Sequence, residues 1–277
     1  MNHVDSSFDL NDPQLVSVID ELSLWSAPFG LKLLDAVRYR KSMTVLDIGF
    51  GTGFPLLELA MRLGSSSKIY GIDPWTEAVE RTRRKIAVYG IINVELLDGV
   101  AESIPLPDGS VDLIVSNNGI NNVNDLDKVL SECDRIGKPG AQFVATMNLD
   151  KTMVEFYQVM ETVLRENGLV DEIEAMKKHI YFKRKPISEI KERFEMHHFN
   201  IDRVHEDIFE YKFANGTAML NYHFIRLAFL DSWKNIIDER RRKQLFSEIE
   251  SRLNMIAESK GLFSMTVPFA TIDARKI

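Results

Sequence analysis

The residues with the clearest chemical use lie in the string Val45-Leu46-Asp47-Ile48-Gly49-Phe50-Gly51-Thr52-Gly53-Phe54-Pro55. Glycines at this spacing let the backbone turn sharply and bring its amides close to a ligand. Pro55 suits the first turn of a following helix, where a missing N–H costs nothing. The start of that helix offers free amides and a positive dipole end to an anionic group. A second group follows in Ile69-Tyr70-Gly71-Ile72-Asp73. A carboxylate about 20 residues past such glycines suits bidentate hydrogen bonding to ribose hydroxyls. Trp75 stands close by, either to pack against a flat ligand ring or to close a helix edge. A dinucleotide fingerprint requires G-x-G-x-x-G/A. Here the third glycine, Gly53, falls one residue early, Phe54 fills the expected slot, and Asp47 lies outside that pattern.

The string D-x-G-x-G-x-G resembles motif I of the class I S-adenosylmethionine-dependent methyltransferases. The resemblance implies that the glycine loop (Asp47, Gly49, Gly51, Thr52, Gly53) takes the amino-acid half of S-adenosylmethionine and that Asp73 takes the ribose. It implies that Trp75 flanks the adenine, unless it serves only as packing. Residues 98–112, running Asp98-Gly99-Val100-Ala101-Glu102 and onward, look like the G-D-A-E-x-L-P-F-x-D-x-x-F-D stretch of enzymes similar to the ubiquinone/menaquinone-biosynthesis methyltransferases. In that stretch an Asp usually faces the adenine amino group beside the amide of the Ala. Val100 stands in its place here, so either an apolar wall replaces the hydrogen bond or Glu102 supplies it, next to Ala101. Residues 132–141 resemble the E-x-x-R-V-L-K-P-G-G turn before the fifth strand, with Pro139 and Gly140 making a tight turn. The resemblance covers residues 44–147.

On the acceptor side the fourth strand ends in Ser116-Asn117-Asn118-Gly119-Ile120-Asn121-Asn122. Ligands of open α/β sheets bind outside the carboxyl ends of the strands, which places Asn117 and Asn118 at the cofactor and Asn121 near the acceptor. The asparagines equally suit capping of the turn. The absence of an N/D-P-P-Y string argues against base amines and glutamine side chains as acceptors. Methyl transfer from a sulfonium disperses positive charge, so the site needs positioning and a water-poor lining more than a strong acid. Tyr222 and His223 are the candidates for a base or an acceptor contact, with ordinary packing as the alternative. Trp25, Phe29 and Gly30 fall where related enzymes fold a helix over the cofactor, or else belong to the core. Phe213, Phe224, Phe229 and Trp233 line an apolar chamber or form a core stripe. His197 and His198 are adjacent and would face opposite ways in extended chain, so no metal site is expected.

Positioning these residues requires alternating strands and helices. Strands are expected at 45–48, 68–72, 94–97, 111–115 and 142–147, with helices at 55–63, 77–89 and 125–136. This order predicts a Rossmann-like, doubly wound α/β sheet of seven strands, mostly parallel with an antiparallel strand near the C-terminus. Residues 13–38 read as helical, interrupted near 26–30. Helices are expected at 153–167 and 186–194, and further strands at 199–213 and 264–274. The segment 214–261 reads as two helices. Leu220, Phe224, Leu227, Leu230 and Trp233 form one apolar stripe, and Phe246, Ile249, Leu253 and Ile256 form the other. The expected organisation is a single domain with an N-terminal helical lid over 1–42, a cofactor core over 43–150 and a helical cap over 214–262.

The chain has 277 residues and a formal net charge of −7. An acidic surface repels phosphate backbones, so no nucleic-acid partner is expected; the basic run 240–243 reads as a solvated helix face. One cysteine, Cys133, excludes an internal disulfide and fits a reducing, cytoplasmic setting. No apolar run reaches membrane-spanning length, and residues 1–10 lack the features of a secretory signal. The expectation is therefore a cytoplasmic monomer or homodimer, without a membrane partner, that methylates a small molecule. The alternative is a protein methyltransferase that acts on a basic partner segment, which the acidic charge would favour.

Overall fold

The computed structural model describes Gln14, Ser17 and residues 24–277. Most of the first half of the 13–38 helix and half of the expected 1–42 lid lie outside the described residues. Helix α1 spans Ser26–Ala36. Residues 26–30, expected as an interruption, are its first turns. Helix formation wins there because Phe29, Gly30, Leu33 and Leu34 make one buried face.

The order then runs β1 (Thr44–Ile48), α2 (Leu56–Leu63), β2 (Lys68–Ile72), α3 (Thr76–Tyr89), β3 (Val94–Leu97), β4 (Val111–Asn117), α4 (Leu126–Ile136) and β5 (Gly137–Asn148). Strand β1 pairs in parallel with both β2 and β4, β2 with β3, and β4 with β5. Strand β1 is almost wholly buried, as a strand covered by helices on both faces must be. Asp125 caps α4 by accepting from the Lys128 amide at 3.0 Å. The helix buries Val129, Leu130, Cys133 and Ile136.

Beyond β5 lie α5 (Val154–Glu166), α6 (Val170–Lys183), α7 (Ile187–Met196) and β6 (Phe199–Phe213). Helix α6 was not expected from the sequence. The segment 214–261 forms four helices rather than two: α8 (Gly216–Asn221), α9 (His223–Ala228), α10 (Leu230–Lys234) and α11 (Glu239–Lys260). The extended backbone of Tyr222 and the irregular backbone of Phe229 break the first stripe into three short pieces. Of that stripe only Trp233 is buried and Leu227 is 70% exposed, while Met219 and Ile225, outside it, are buried. The second stripe is one helix whose buried line runs Leu245, Ile249, Leu253 and Ala257.

Strand β7 (Phe263–Lys276) completes a seven-stranded sheet in the order β3-β2-β1-β4-β5-β7-β6, mostly parallel with antiparallel strands at the C-terminal end. This is the expected Rossmann-like class. The chain divides into two compact units. The first comprises residues 1–147, 191–205 and 271–277; the second comprises 148–190 and 206–270. No helix among the described residues is long and apolar enough to cross a membrane.

Candidate cofactor and acceptor site

Within the first unit, β1 ends in the glycine loop, which is shaped by three residues of positive φ: Gly49 at 75°, Gly51 at 54° and Gly53 at 108°. A side chain at Gly51 would meet no atom of the described residues within 4 Å. At Gly49 the reason for glycine is contact. A Cβ there would stand 2.7 Å from the Cα of Gly119 in the loop after β4. The two strand ends thus meet backbone to backbone. Ser116 joins them, because its hydroxyl donates to the Ile48 carbonyl at 2.8 Å and accepts from the Ile120 amide at 3.0 Å.

Asp73, just past β2, accepts from the Gly51 amide at 2.8 Å through Oδ2 and from the Trp75 amide at 2.8 Å through Oδ1. One carboxylate therefore fixes both the glycine loop and the start of α3. The back of the loop is held from α3, where the Thr82 hydroxyl donates to the Gly51 carbonyl at 3.1 Å and the Lys85 ammonium to the Thr52 carbonyl at 2.9 Å. Thr82 and Lys85 are both buried. Sequence reasoning missed them. Their only signal was a polar pair, three apart, on the inner face of an otherwise charged helix.

Asp47 is fully buried, and neither carboxylate oxygen has a hydrogen-bond partner among the described residues. Burial first, and the charge of Asp73 second, push its carboxyl well above the usual carboxylate range, against the opposing influence of the Leu56 amide at the start of α2. An unpartnered buried carboxylate is costly unless a donor or cation meets it.

The Trp75 indole is 54% exposed, with its amide on Asp73. Val100 is also exposed and Ala101 is buried. Glu102 Oε1 accepts from the amides of Asn124 at 2.9 Å and Asp125 at 3.3 Å, tying its loop to the entrance of α4. The following loop is clasped by Arg135, which donates to the carbonyls of Ile104 and Leu106 and pairs with Glu132 and Asp108. The 132–141 segment thus does more than turn the chain: its Glu and Arg hold the 104–108 loop in place.

Asn117 donates to the Ser26 carbonyl of α1 at 3.1 Å and accepts from Thr146 at 2.8 Å. Asn118 adopts a φ of 61°, a conformation that Asn tolerates. Its side-chain oxygen accepts from Asn121 at 3.1 Å, and its carbonyl from Asn122 at 3.2 Å. These asparagines build the turn with one another. Helix α1 crosses here as well. A Cβ on Gly30 would fall 2.0 Å from the Phe54 ring and 3.1 Å from the Asn117 amide nitrogen. Trp25 packs edge-on against the buried Phe29 at 5.5 Å. His197 and His198 take separate partners, Asp127 at 3.4 Å and Asp134 at 2.9 Å. No metal-holding cluster occurs among the described residues.

The second unit carries the other candidates. Tyr222 meets Tyr211 at 6.0 Å and Phe213 at 5.5 Å, and the exposed His223 ring stands 4.7 Å from Tyr222. Trp233 is buried and stacks on Phe156 at 3.9 Å and Phe229 at 5.8 Å; it is core. Phe224 lies 6.0 Å from Phe229.

Residues 46–145 match the family described as "Methyltransferase domain". A demethylmenaquinone methyltransferase of Geobacillus stearothermophilus is 32% identical over 120 residues, 43% of this chain and 51% of the relative. A ubiquinone/menaquinone biosynthesis C-methyltransferase of Escherichia coli is 32% identical over 123 residues, 44% of this chain and 49% of the relative. The chain thus spans about half the length of these curated relatives. The crystal structure of an S-adenosylmethionine-dependent methyltransferase from Aquifex aeolicus superposes with a TM-score of 0.52 at 26% identity, covering 72% of this chain and 92% of that one.

Proposed function

The chain belongs, through residues 46–145, to the class I S-adenosylmethionine-dependent methyltransferases, and from that premise we propose that it methylates a small-molecule acceptor and releases S-adenosylhomocysteine. The cofactor, S-adenosylmethionine, supplies an electrophilic methyl group on a sulfonium. The observation that carries the reading is the buried, unpartnered Asp47 beneath a loop whose Gly51 amide is fixed by Asp73. An unmet carboxylate fits the cationic end of an amino-acid tail, and no described atom crowds the side-chain position of Gly51. Asp73 keeps lone pairs for two ribose hydroxyls while its two amide bonds fix its plane. Trp75 offers a flat apolar face to the adenine, Val100 and Ala101 wall the ring, and Glu102 shapes their loop. Asn117 and Asn118 form the floor between cofactor and acceptor. Asn121, in the same turn of the first unit, is the group proposed to meet the acceptor.

The acceptor is proposed as a small molecule because a helical segment, 216–260, lies between the last two strands and suits an enclosed site better than a flat surface. The named activities of the quinone-biosynthesis relatives are consistent with that class. Calorimetry tests the cofactor half. S-adenosylmethionine binds and NAD does not, and Asp73→Ala and Gly51→Val each lose binding; wild-type affinity in either variant contradicts the loop assignment. Incubating labelled cofactor with a metabolite extract tests the acceptor half. Label in a small molecule supports the reading, whereas label only in polypeptide overturns it in favour of a protein methyltransferase.

A further inference from the structure

Arg184, at the end of α6 in the second unit, is a buried cation without a counter-ion among the described residues. It is 4% exposed, and its Nε finds no hydrogen-bond partner among them. A guanidinium does not discharge by losing a proton, so burial leaves a full charge in a poorly polar setting. No carboxylate among the described residues lies within ion-pair distance of it. Glu189 is engaged by Lys185 at 3.4 Å and by the Tyr181 hydroxyl at 2.7 Å. The neighbours of Arg184 are aromatic instead: its guanidinium lies 6.0 Å from the Tyr157 ring centre and 5.8 Å from that of Phe229. Such faces offset part of the charge, as does the negative end of α6.

Tyr157, also 4% exposed, completes the pattern. Its hydroxyl oxygen accepts from the Trp233 indole at 3.0 Å and from Arg184 Nη1 at 3.5 Å. With both lone pairs engaged, its own O–H must donate outward, and no described residue accepts it. The cluster therefore presents donors only: the Arg184 guanidinium and the Tyr157 hydroxyl. His179, half-buried on α6, is held below the ordinary histidine range by burial first and then by the charges of Arg184 and Lys183.

We propose that Arg184 and Tyr157, within the second unit, bind a carboxylate or phosphate group of a small-molecule ligand. The planar guanidinium takes two oxygens of such a group side by side, and the phenol donates to one of them. The ligand class is thus an acidic small molecule.

Inorganic phosphate and acetate serve as probes on the full chain, against chloride at equal ionic strength. Wild-type protein rises in Tm with added phosphate or acetate beyond the chloride control, by mass action on the folded form. Arg184→Met removes that anion dependence and does not lower Tm in chloride, because an apolar side chain of similar length replaces an uncompensated charge. Equal anion shifts in both proteins, no shift in wild type, or a Tm loss in chloride for Arg184→Met overturns the site. Tyr157→Phe gives a second reading: it keeps the ring stacking and weakens phosphate binding at least tenfold, and unchanged binding overturns the assignment.

Discussion

Asp47 ties the sequence motif to a measurable electrostatic cost. Its carboxyl holds a proton to higher pH in the folded chain than in the unfolded one, because burial first and Asp73 second disfavour the anion. The folded form then binds more protons than the unfolded form. Stability therefore falls as pH rises from about 4, the unfolded value, through the raised folded value, and levels off above it. Asp47→Asn removes this slope. Without cofactor, the variant is expected to exceed wild type at the upper end of the window by about 1–3 kcal/mol, because an unmet neutral amide costs less to bury than an unmet anion. Cofactor affinity moves the other way and weakens on the order of tenfold, about 1.4 kcal/mol. Thermal melts of both proteins across pH 4–9, with calorimetry at neutral pH, check the two signs. Parallel melting curves would remove the claim that Asp47 is strained without its ligand.

At the scale of elements, the cradle depends on two loops that touch through glycine. A Cβ on Gly119 would lie 2.2 Å from the Ile48 carbonyl oxygen and 3.0 Å from the Gly49 Cα. Both are backbone atoms at the end of a buried strand, so neither yields cheaply. Gly119→Ala is expected to destabilise by about 1–3 kcal/mol, the usual range for overpacking, and to weaken cofactor binding, because the glycine loop must move. Differential scanning calorimetry and cofactor titration measure both, and wild-type values in either would show that the loops do not need this contact. Gly119 was readable as part of a polar turn but not as a packing partner of Gly49, since that contact joins residues 70 positions apart. The strands of the first half were legible because β-type apolar runs alternate with helical spacing. Helix α6 was not: only Ile173 and Met176 are buried in it, too thin a stripe to rise above its charged residues. The 216–234 region misled in the opposite way. Its apolar residues keep helical spacing, yet the backbone turns at Tyr222 and Phe229 and buries Met219 and Ile225 in place of Leu220 and Phe224. Asp47, Asp73 and the glycines were legible because their chemistry is local. Thr82, Lys85, Arg184 and Tyr157 gain meaning only from partners that the fold brings together.

For the molecule as a whole, the single cysteine reports on opening of the cofactor unit. Cys133 is fully buried on the inner face of α4, and burial raises its thiol far above the ordinary range, with the charges of Glu132 and Asp134 adding to the effect. The thiolate is the reactive form, so native Cys133 is inert and reacts only when the surrounding core opens. A ligand that binds only the closed form suppresses that opening by mass action. At a concentration 100 times its Kd the suppression amounts to about 2.7 kcal/mol, or roughly a hundredfold in rate when opening and closing are fast compared with labelling. S-adenosylmethionine is expected to slow labelling of Cys133 by a thiol reagent by that factor, although Cys133 is not among the groups proposed to touch the cofactor. NAD leaves the rate unchanged. Fast labelling in native protein would show that α4 is open at this face. A slow rate that S-adenosylmethionine does not alter would mean that Cys133 is reached by local opening of α4, without release of the glycine loop, and the cradle and the α4 core would then not unfold as one cooperative body.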